Sequence, residues 1–135
     1  MRRKIIESII IVFIIGFWLS LIIIGARYQF KVPSLPNEKF QAFLEEQHPI
    51  IIDLRESNEL AKDPLDYQPL IHLPFLFIEK HLSQIEIPQN YPVLFVCSDG
   101  NRARLVASLL YKRGCQGHYL QGGINSVRKN KYSVQ

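Results

Sequence analysis

The sequence is poor in the residues that build metal centres and disulfide frameworks. It has two cysteines, Cys97 and Cys115, and four histidines that share no short spacing, so we predict neither a metal site nor a Cys/His pair. The helix predicted between the cysteines would separate them by roughly 15 Å. A disulfide allows about 7 Å between Cα atoms, so we predict two unpaired thiols. Internal repeats and low-complexity tracts are also missing.

Charge is missing from one long stretch near the N-terminus. Residues 8–26 carry no charged side chain and are nearly all Ile, Leu, Val, Phe or Trp. As a helix, this stretch would be roughly 29 Å long, about the hydrocarbon thickness of a bilayer. We therefore predict a single-pass transmembrane anchor over residues 1–27. A cleaved signal peptide is the alternative, but its apolar region is normally shorter.

Basic residues on both sides of this stretch indicate its orientation. Side chains 2–4 are basic and stand beside the amino terminus, whereas Arg27, Lys31 and Lys39 follow the stretch. The positive-inside rule then predicts a cytoplasmic N-terminus and an extracytoplasmic domain. From residue 27 onward the chain has 13 basic and 11 acidic residues. This near balance does not favour nucleic acid as a partner.

The remainder of the chain alternates short apolar runs with helical patterns. We assign residues 28–36 to a linker containing two prolines, 37–130 to one folded domain and 131–135 to a tail. Helices are predicted over 37–47, 57–62, 75–85, 102–114 and 124–130, and strands over 49–56, 69–75, 91–97 and 118–123. This alternation predicts an α/β domain with a mostly parallel central sheet flanked by helices, preceded by one transmembrane helix.

One strand–loop–helix segment carries the residues suited to chemistry. Cys97 stands at the carboxyl end of a predicted strand, where ligands bind in parallel sheets. The N–H groups of a tight loop and the next helix N-terminus can converge there and favour a thiolate. Gly100 lets the loop turn, and Arg102 can fold back onto the loop or its anion. These residues suit a nucleophilic thiol in an anion-binding loop.

The sequence of this loop resembles a known family. The stretch CSDGNRA (97–103) is similar to the active-site loop of single-domain rhodaneses, which are sulfurtransferases. The stretch IIIDLRESNEL (50–60) resembles the family's first strand, and HYLQGGINSV (118–127) resembles its final segment. Two departures stand out: residues 65–72 keep little of the family's segment before the second strand, and Asp99 replaces a basic or neutral loop residue.

The resemblance implies a rhodanese-like fold and a reaction. Cys97 would take sulfane sulfur from a donor as a persulfide and pass it to a thiol or another nucleophile, without a metal or other cofactor. Asp53 and Arg55, at a neighbouring strand end, are candidates for supporting the site or for pairing with each other. The residues implied to bind substrate or anion are Ser98, Asp99, Gly100, Asn101, Arg102 and Ala103.

Two other readings remain open. Cysteine phosphatases use a similar loop, but with five residues between Cys and Arg, where this chain has four. A non-catalytic rhodanese-like module that binds a partner at the membrane is the second alternative.

For a sulfurtransferase, we predict that the Asp99 side chain faces the approaching substrate rather than the thiolate. It would then repel anionic donors such as thiosulfate and favour neutral or cationic ones.

Overall fold

A computed structural model describes residues 2–27, 32–83, 85–87 and 90–133. The chain divides into two compact units, one ending at residue 31 and the other beginning at Val32.

The first unit contains one helix, α1, which spans Arg2–Arg27. Its described side chains, Ile6 and those of residues 9–23, are all exposed. Among the described residues we find no helix long and apolar enough to cross a membrane. The transmembrane anchor therefore stays a prediction.

The second unit is an α/β domain built on a parallel sheet of five strands. The strand order is β1-β5-β4-β2-β3, and every neighbouring pair is parallel. This confirms the predicted α/β class and its parallel sheet. The strands are β1 Ser34–Leu35, β2 Ile50–Asp53, β3 Leu70–His72, β4 Val93–Val96 and β5 His118–Leu120. The helices are α2 Phe40–Gln47, α3 Ser57–Lys62, α4 Ile78–Leu82, α5 Asn101–Tyr111 and α6 Gly123–Ser133. Short 3-10 turns, Asn37–Lys39 and Phe75–Phe77, precede α2 and α4.

The central strand β4 is buried on both faces because helices cover both sides of the sheet. Successive side chains of a strand point to opposite faces. Val93 and Phe95 accordingly pack in one core cluster with Ala103, Val106 and Leu110 of α5. Leu94 and Val96 pack in the other with Phe40 and Leu44 of α2 and Ile124 of α6. Each large side chain buried here contributes about 1.5–3 kcal/mol, which explains the continuous apolar run of this strand.

Strand β1 lies within the stretch assigned to a linker from the sequence. Ser34 and Leu35 pair in parallel with Tyr119 and Leu120 of β5, so they belong to the sheet. The stretch 28–36 is therefore not all linker. A two-residue strand between prolines is too short for a period of two to be recognised. Residues 28–31 of the predicted linker lie outside the described residues.

The C-terminal boundary also differs from the sequence prediction. Helix α6 runs from Gly123 to Ser133, and so includes residues 131–133 of the predicted tail. Residues 134–135 lie outside the described part of the chain. The predicted strand over 49–56 is shorter in the structure, because β2 ends at Asp53 and the chain then turns.

Candidate active site

Cys97 lies at the carboxyl end of the central strand. Strand β4 ends one residue earlier, at Val96, and α5 begins at Asn101. The neighbouring strand β2 ends level with it, since Asp53 is the register partner of Val96. The Cys97 residue is fully buried, with 0% of its surface exposed. Both this position and the short loop to α5 agree with the strand–loop–helix segment expected from the sequence.

Two backbone groups of the loop donate hydrogen bonds to the cysteine sulfur. The Gly100 N–H lies 3.1 Å from Cys97 Sγ, and the Ala103 N–H lies 3.5 Å from it. Gly100 adopts a positive φ of 90°, and an added Cβ would lie 2.9 Å from the Leu120 carbonyl oxygen. The loop can take this shape because Gly100 has no side chain. Negative charge on the sulfur, or on a sulfur atom bound to it, would be stabilised by these donors.

The opposite side of the loop is held by α6. The Ile124 N–H donates to the Cys97 carbonyl at 2.9 Å, and the Asn125 N–H donates to the Ser98 carbonyl at 3.0 Å. These bonds occupy two of the N–H groups that a helix N-terminus leaves without a partner inside the helix. An added Cβ on Gly123, whose φ is 63°, would collide with the Ser98 carbonyl. The absence of a side chain at Gly123 therefore lets the start of α6 approach the loop and bind these two carbonyls.

Asp99 lies beside the sulfur, whereas the sequence analysis predicted that it faces the substrate rather than the thiolate. Its Oδ1 lies 3.6 Å from Cys97 Sγ, in a geometry in which the thiol donates to the carboxylate. The carboxylate is held by the Asn101 backbone N–H at 3.0 Å and by the Asn101 side-chain amide at 2.8 Å. These bonds lower the pKa of the Asp99 carboxyl below its usual value. This local turn, in which an aspartate side chain binds the backbone two residues ahead, fixes the carboxylate beside the thiol.

Arg102 is bound by a glutamate that the sequence analysis did not select. Both of its terminal nitrogens donate to the Glu59 carboxylate at 2.7 Å. The Ser98 hydroxyl donates to the same carboxylate at 2.6 Å. These bonds, that from Arg102 above all, lower the pKa of Glu59 from 4.5 to about 2, and Glu59 in turn raises the pKa of Arg102. The arginine thus ties the loop to α3 and has its charge neutralised there.

Glu59 is held by the first turn of α3. Its carboxylate accepts the Glu56 backbone N–H at 2.8 Å, while the Glu56 side chain accepts the backbone N–H of Glu59. This reciprocal arrangement is a capping box with glutamate at both positions. Two glutamates three residues apart just after a strand were the signal available in the sequence. That pattern marks a helix start, but it does not show which loop the helix start will meet.

Asp53 and Arg55 form a buried ion pair beside the loop. Arg55 donates to the Asp53 carboxylate at distances of 2.7–3.1 Å, and the two residues, Asp53 and Arg55, are 0% and 2% exposed. Arg55 also donates to the Asp63 carbonyl at 2.8 Å, and its own carbonyl lies 2.8 Å from His72 Nε2. None of the described side-chain bonds of this pair reaches residues 97–103. The structure therefore places the pair next to the site, with a role in tying strand ends together.

The other titratable groups lie elsewhere in the domain. Cys115 is a free thiol in the core, and burial raises its pKa. Among the residues that the structure describes, no group of three or more acidic, histidine or cysteine side chains is placed to hold a metal ion.

A parallel α/β domain with a buried cysteine at a strand end, and loop N–H groups directed at its sulfur, defines a class of proteins with a thiol in an anion-binding loop. Residues 36–130 match the family model of the rhodanese-like domain. The chain belongs to this family. Among curated proteins, none matches the chain significantly.

Solved structures of the family share the fold. A rhodanese homologue from Thermus thermophilus is 26% identical, with a TM-score of 0.55; the match covers 69% of this chain and 98% of that one. A rhodanese-related protein from Thermoplasma volcanium is 19% identical, with a TM-score of 0.61, covering 73% and 92% of the two chains. Reduced CoADR-RHD from Bacillus anthracis is 24% identical, with a TM-score of 0.59. In that last case the match covers 83% of this chain but only 18% of the larger protein.

Proposed function

We propose that this chain is a sulfurtransferase that carries sulfane sulfur as a persulfide on Cys97. The observation that carries the proposal is the convergence of the Gly100 and Ala103 N–H groups on Cys97 Sγ, at 3.1 and 3.5 Å. Membership of the rhodanese-like domain family supports it. So does the docking of α6 on the loop, where the Ile124 and Asn125 N–H groups bind the Cys97 and Ser98 carbonyls.

In the proposed reaction, Sγ attacks the outer sulfur of a donor and the donor's S–S bond breaks. The electron pair of that bond leaves with the inner sulfur, and Cys97 holds the transferred sulfur as a persulfide. An acceptor thiol then attacks the same sulfur and releases Cys97. The two loop N–H groups stabilise negative charge at the cysteine sulfur, and no external oxidant or reductant is consumed.

Mass spectrometry of the full chain in a nonionic detergent tests this proposal. After incubation with thiosulfate or an organic persulfide, we expect the peptide that contains Cys97 to gain the mass of one sulfur atom. The Cys97→Ser variant should gain none there. Absence of the adduct with every sulfane donor would overturn the proposal. Phosphoester hydrolysis that disappears in Cys97→Ala would favour a cysteine phosphatase instead.

A non-catalytic binding module is the second candidate, because Cys97 is fully buried in the structure. A module of this kind would need Cys97 only for packing. Cys97→Ala should then leave binding to its partner unchanged, whereas a sulfurtransferase would lose all sulfur loading. The adduct measurement therefore separates the two candidates.

We also propose that α1 attaches the domain to a membrane, with the N-terminus in the cytoplasm. The uncharged stretch 8–26 and the exposed apolar side chains of residues 9–23 support membrane attachment, and the basic side chains at 2–4 support the orientation. Carbonate extraction of membranes from cells expressing the full chain tests the attachment. Protease protection of the C-terminal domain tests its side, and release of the chain by carbonate would contradict the anchor.

A further inference from the structure

The charges around Cys97 bear on which sulfur donors it can accept, and this inference rests on the proposed function. Arg102 is the basic residue of the loop, and its two terminal nitrogens are both bound to Glu59 at 2.7 Å. A second carboxylate, that of Glu56, lies 3.9 Å from the same guanidinium. Two carboxylates therefore surround the single positive charge of Arg102 in the absence of substrate.

Asp99 adds a negative charge that is closer to the sulfur. Its Oδ1 is 3.6 Å from Cys97 Sγ, and its two partners at Asn101 are a neutral N–H and a neutral amide. The four charged side chains at the loop, Arg102, Glu56, Glu59 and Asp99, thus sum to two negative charges. Arg104 lies two residues beyond Arg102 on α5, on roughly the opposite side of that helix.

We propose that Asp99 determines donor specificity at Cys97: it selects donors with a positive charge next to the reacting sulfur and disfavours anionic donors such as thiosulfate. The Cys97 residue has no exposed surface, whereas Asp99 is exposed and touches its sulfur. A donor that reaches Sγ must therefore come within a few ångströms of this carboxylate. An ammonium group beside the donor sulfur is attracted to it, and a sulfonate or thiosulfate oxygen is repelled.

The transfer from such a donor balances without a further reactant. With a hydropersulfide R–S–SH, Sγ bonds to the outer sulfur and the S–S bond breaks. The inner sulfur leaves with the electron pair and takes the proton that Cys97 gives up. The products are the Cys97 hydropersulfide and the thiol R–SH, where R carries the positive charge.

The first arm of the test measures local charge without requiring sulfur transfer. The full chain, in a nonionic detergent, is treated with three alkyl methanethiosulfonates whose alkyl group carries a trimethylammonium, no charge or a sulfonate. Sγ bonds to the reagent's divalent sulfur, methanesulfinate leaves, and the thiol proton goes to solvent. Rates are read by mass spectrometry on the peptide that contains Cys97, which separates them from any reaction at Cys115.

Asp99→Asn is the informative variant because it removes the charge and keeps an oxygen for the Asn101 N–H. We expect the ratio of cationic to anionic rates to be on the order of tenfold higher in the unmodified chain than in this variant at low salt. The difference should shrink at high ionic strength. Glu46→Gln, which removes an exposed charge from the last turn of α2, should leave the ratio unchanged.

The second arm uses persulfides of cysteamine, 2-mercaptoethanol and 3-mercaptopropionate, together with thiosulfate. The cationic cysteamine persulfide should load Cys97 fastest. Asp99→Asn should reduce the differences in loading rate among the three persulfides and should speed loading from thiosulfate. Equal ratios in the unmodified chain and Asp99→Asn, or a Cys97 inert to all three thiosulfonates, would overturn the specificity proposal. Failure of every sulfane donor together with a clear charge effect in the first arm would instead overturn the proposed function alone.

Discussion

Replacing Glu59 with glutamine should destabilise the folded domain at neutral pH. Hydrogen bonds from Arg102 above all, and from the Ser98 hydroxyl and the Glu56 N–H, lower the pKa of Glu59 from 4.5 to about 2. A lowering of this size corresponds to about 3 kcal/mol. Glu59 is 31% exposed, so solvent screens part of this energy. We therefore expect Glu59→Gln to reduce the free energy of unfolding at pH 7 by about 1–2 kcal/mol.

The stabilisation that Glu59 provides depends on pH. A carboxylate with a lowered pKa stabilises the folded state fully above its unfolded pKa, near 4.5. That stabilisation disappears as the pH falls through the folded pKa of about 2. The unmodified chain should therefore lose stability between about pH 5 and about pH 2, and the variant should lose less. The plots of stability against pH for the unmodified chain and Glu59→Gln should therefore converge near about pH 2.

Urea titrations followed by far-ultraviolet circular dichroism would measure this difference. Fluorescence of the single tryptophan is unsuitable because Trp18 lies on α1, in the other compact unit. At an unchanged denaturant slope, the shift in midpoint gives the change in free energy. Glu46→Gln, which removes an exposed carboxylate of α2, is the matched control. An equal midpoint at pH 7, or a constant gap down to pH 2, would refute the account of the Glu59–Arg102 pair.

Substitutions at three other places in the domain should also have measurable effects. Gly123→Ala should lower the free energy of unfolding by at least about 2 kcal/mol in thermal scans and abolish sulfur loading of Cys97, because the new Cβ would collide with the Ser98 carbonyl. Unchanged loading in this variant would contradict the role of α6. Arg55→Met should cost about 3–5 kcal/mol in urea unfolding by leaving a buried carboxylate unpaired, and adding Asp53→Leu should recover much of the loss. Burial lowers the pKa of His118, so the stability of the fold should fall as the pH drops below about 6.5. His118→Phe should weaken this dependence of stability on pH in thermal scans between about pH 7.5 and about pH 5.5.

The α/β class could be predicted from the sequence because most apolar runs are long enough to be recognised as strands. Each predicted strand of the parallel sheet contains a strand of the structure, and the predicted helices coincide with helical segments. Strand β1 was missed, since two residues between prolines carry no period. The position of Cys97 at a strand end was likewise readable, because the strand before it and the helix after it are both local features.

The partners of the loop depended on the tertiary structure. Glu59 lies 43 residues before Arg102, and nothing in the local pattern of either residue specifies the other. The contact forms because β2 and β4 are neighbours in the sheet, so α3 begins beside the end of β4. Chain topology, rather than sequence spacing, sets such long-range contacts.

Sequence alone thus determined the fold class, the candidate nucleophile and the presence of an acid in its loop, because each rests on local periodicity or on a short motif. Only the tertiary structure decided the direction of that acid and the charge balance around the thiol. Asp99 turns toward Sγ because its carboxylate also accepts the Asn101 backbone N–H, two residues ahead in the same turn. Arg102 does not offset that charge because Glu59, from a distant segment, already binds it.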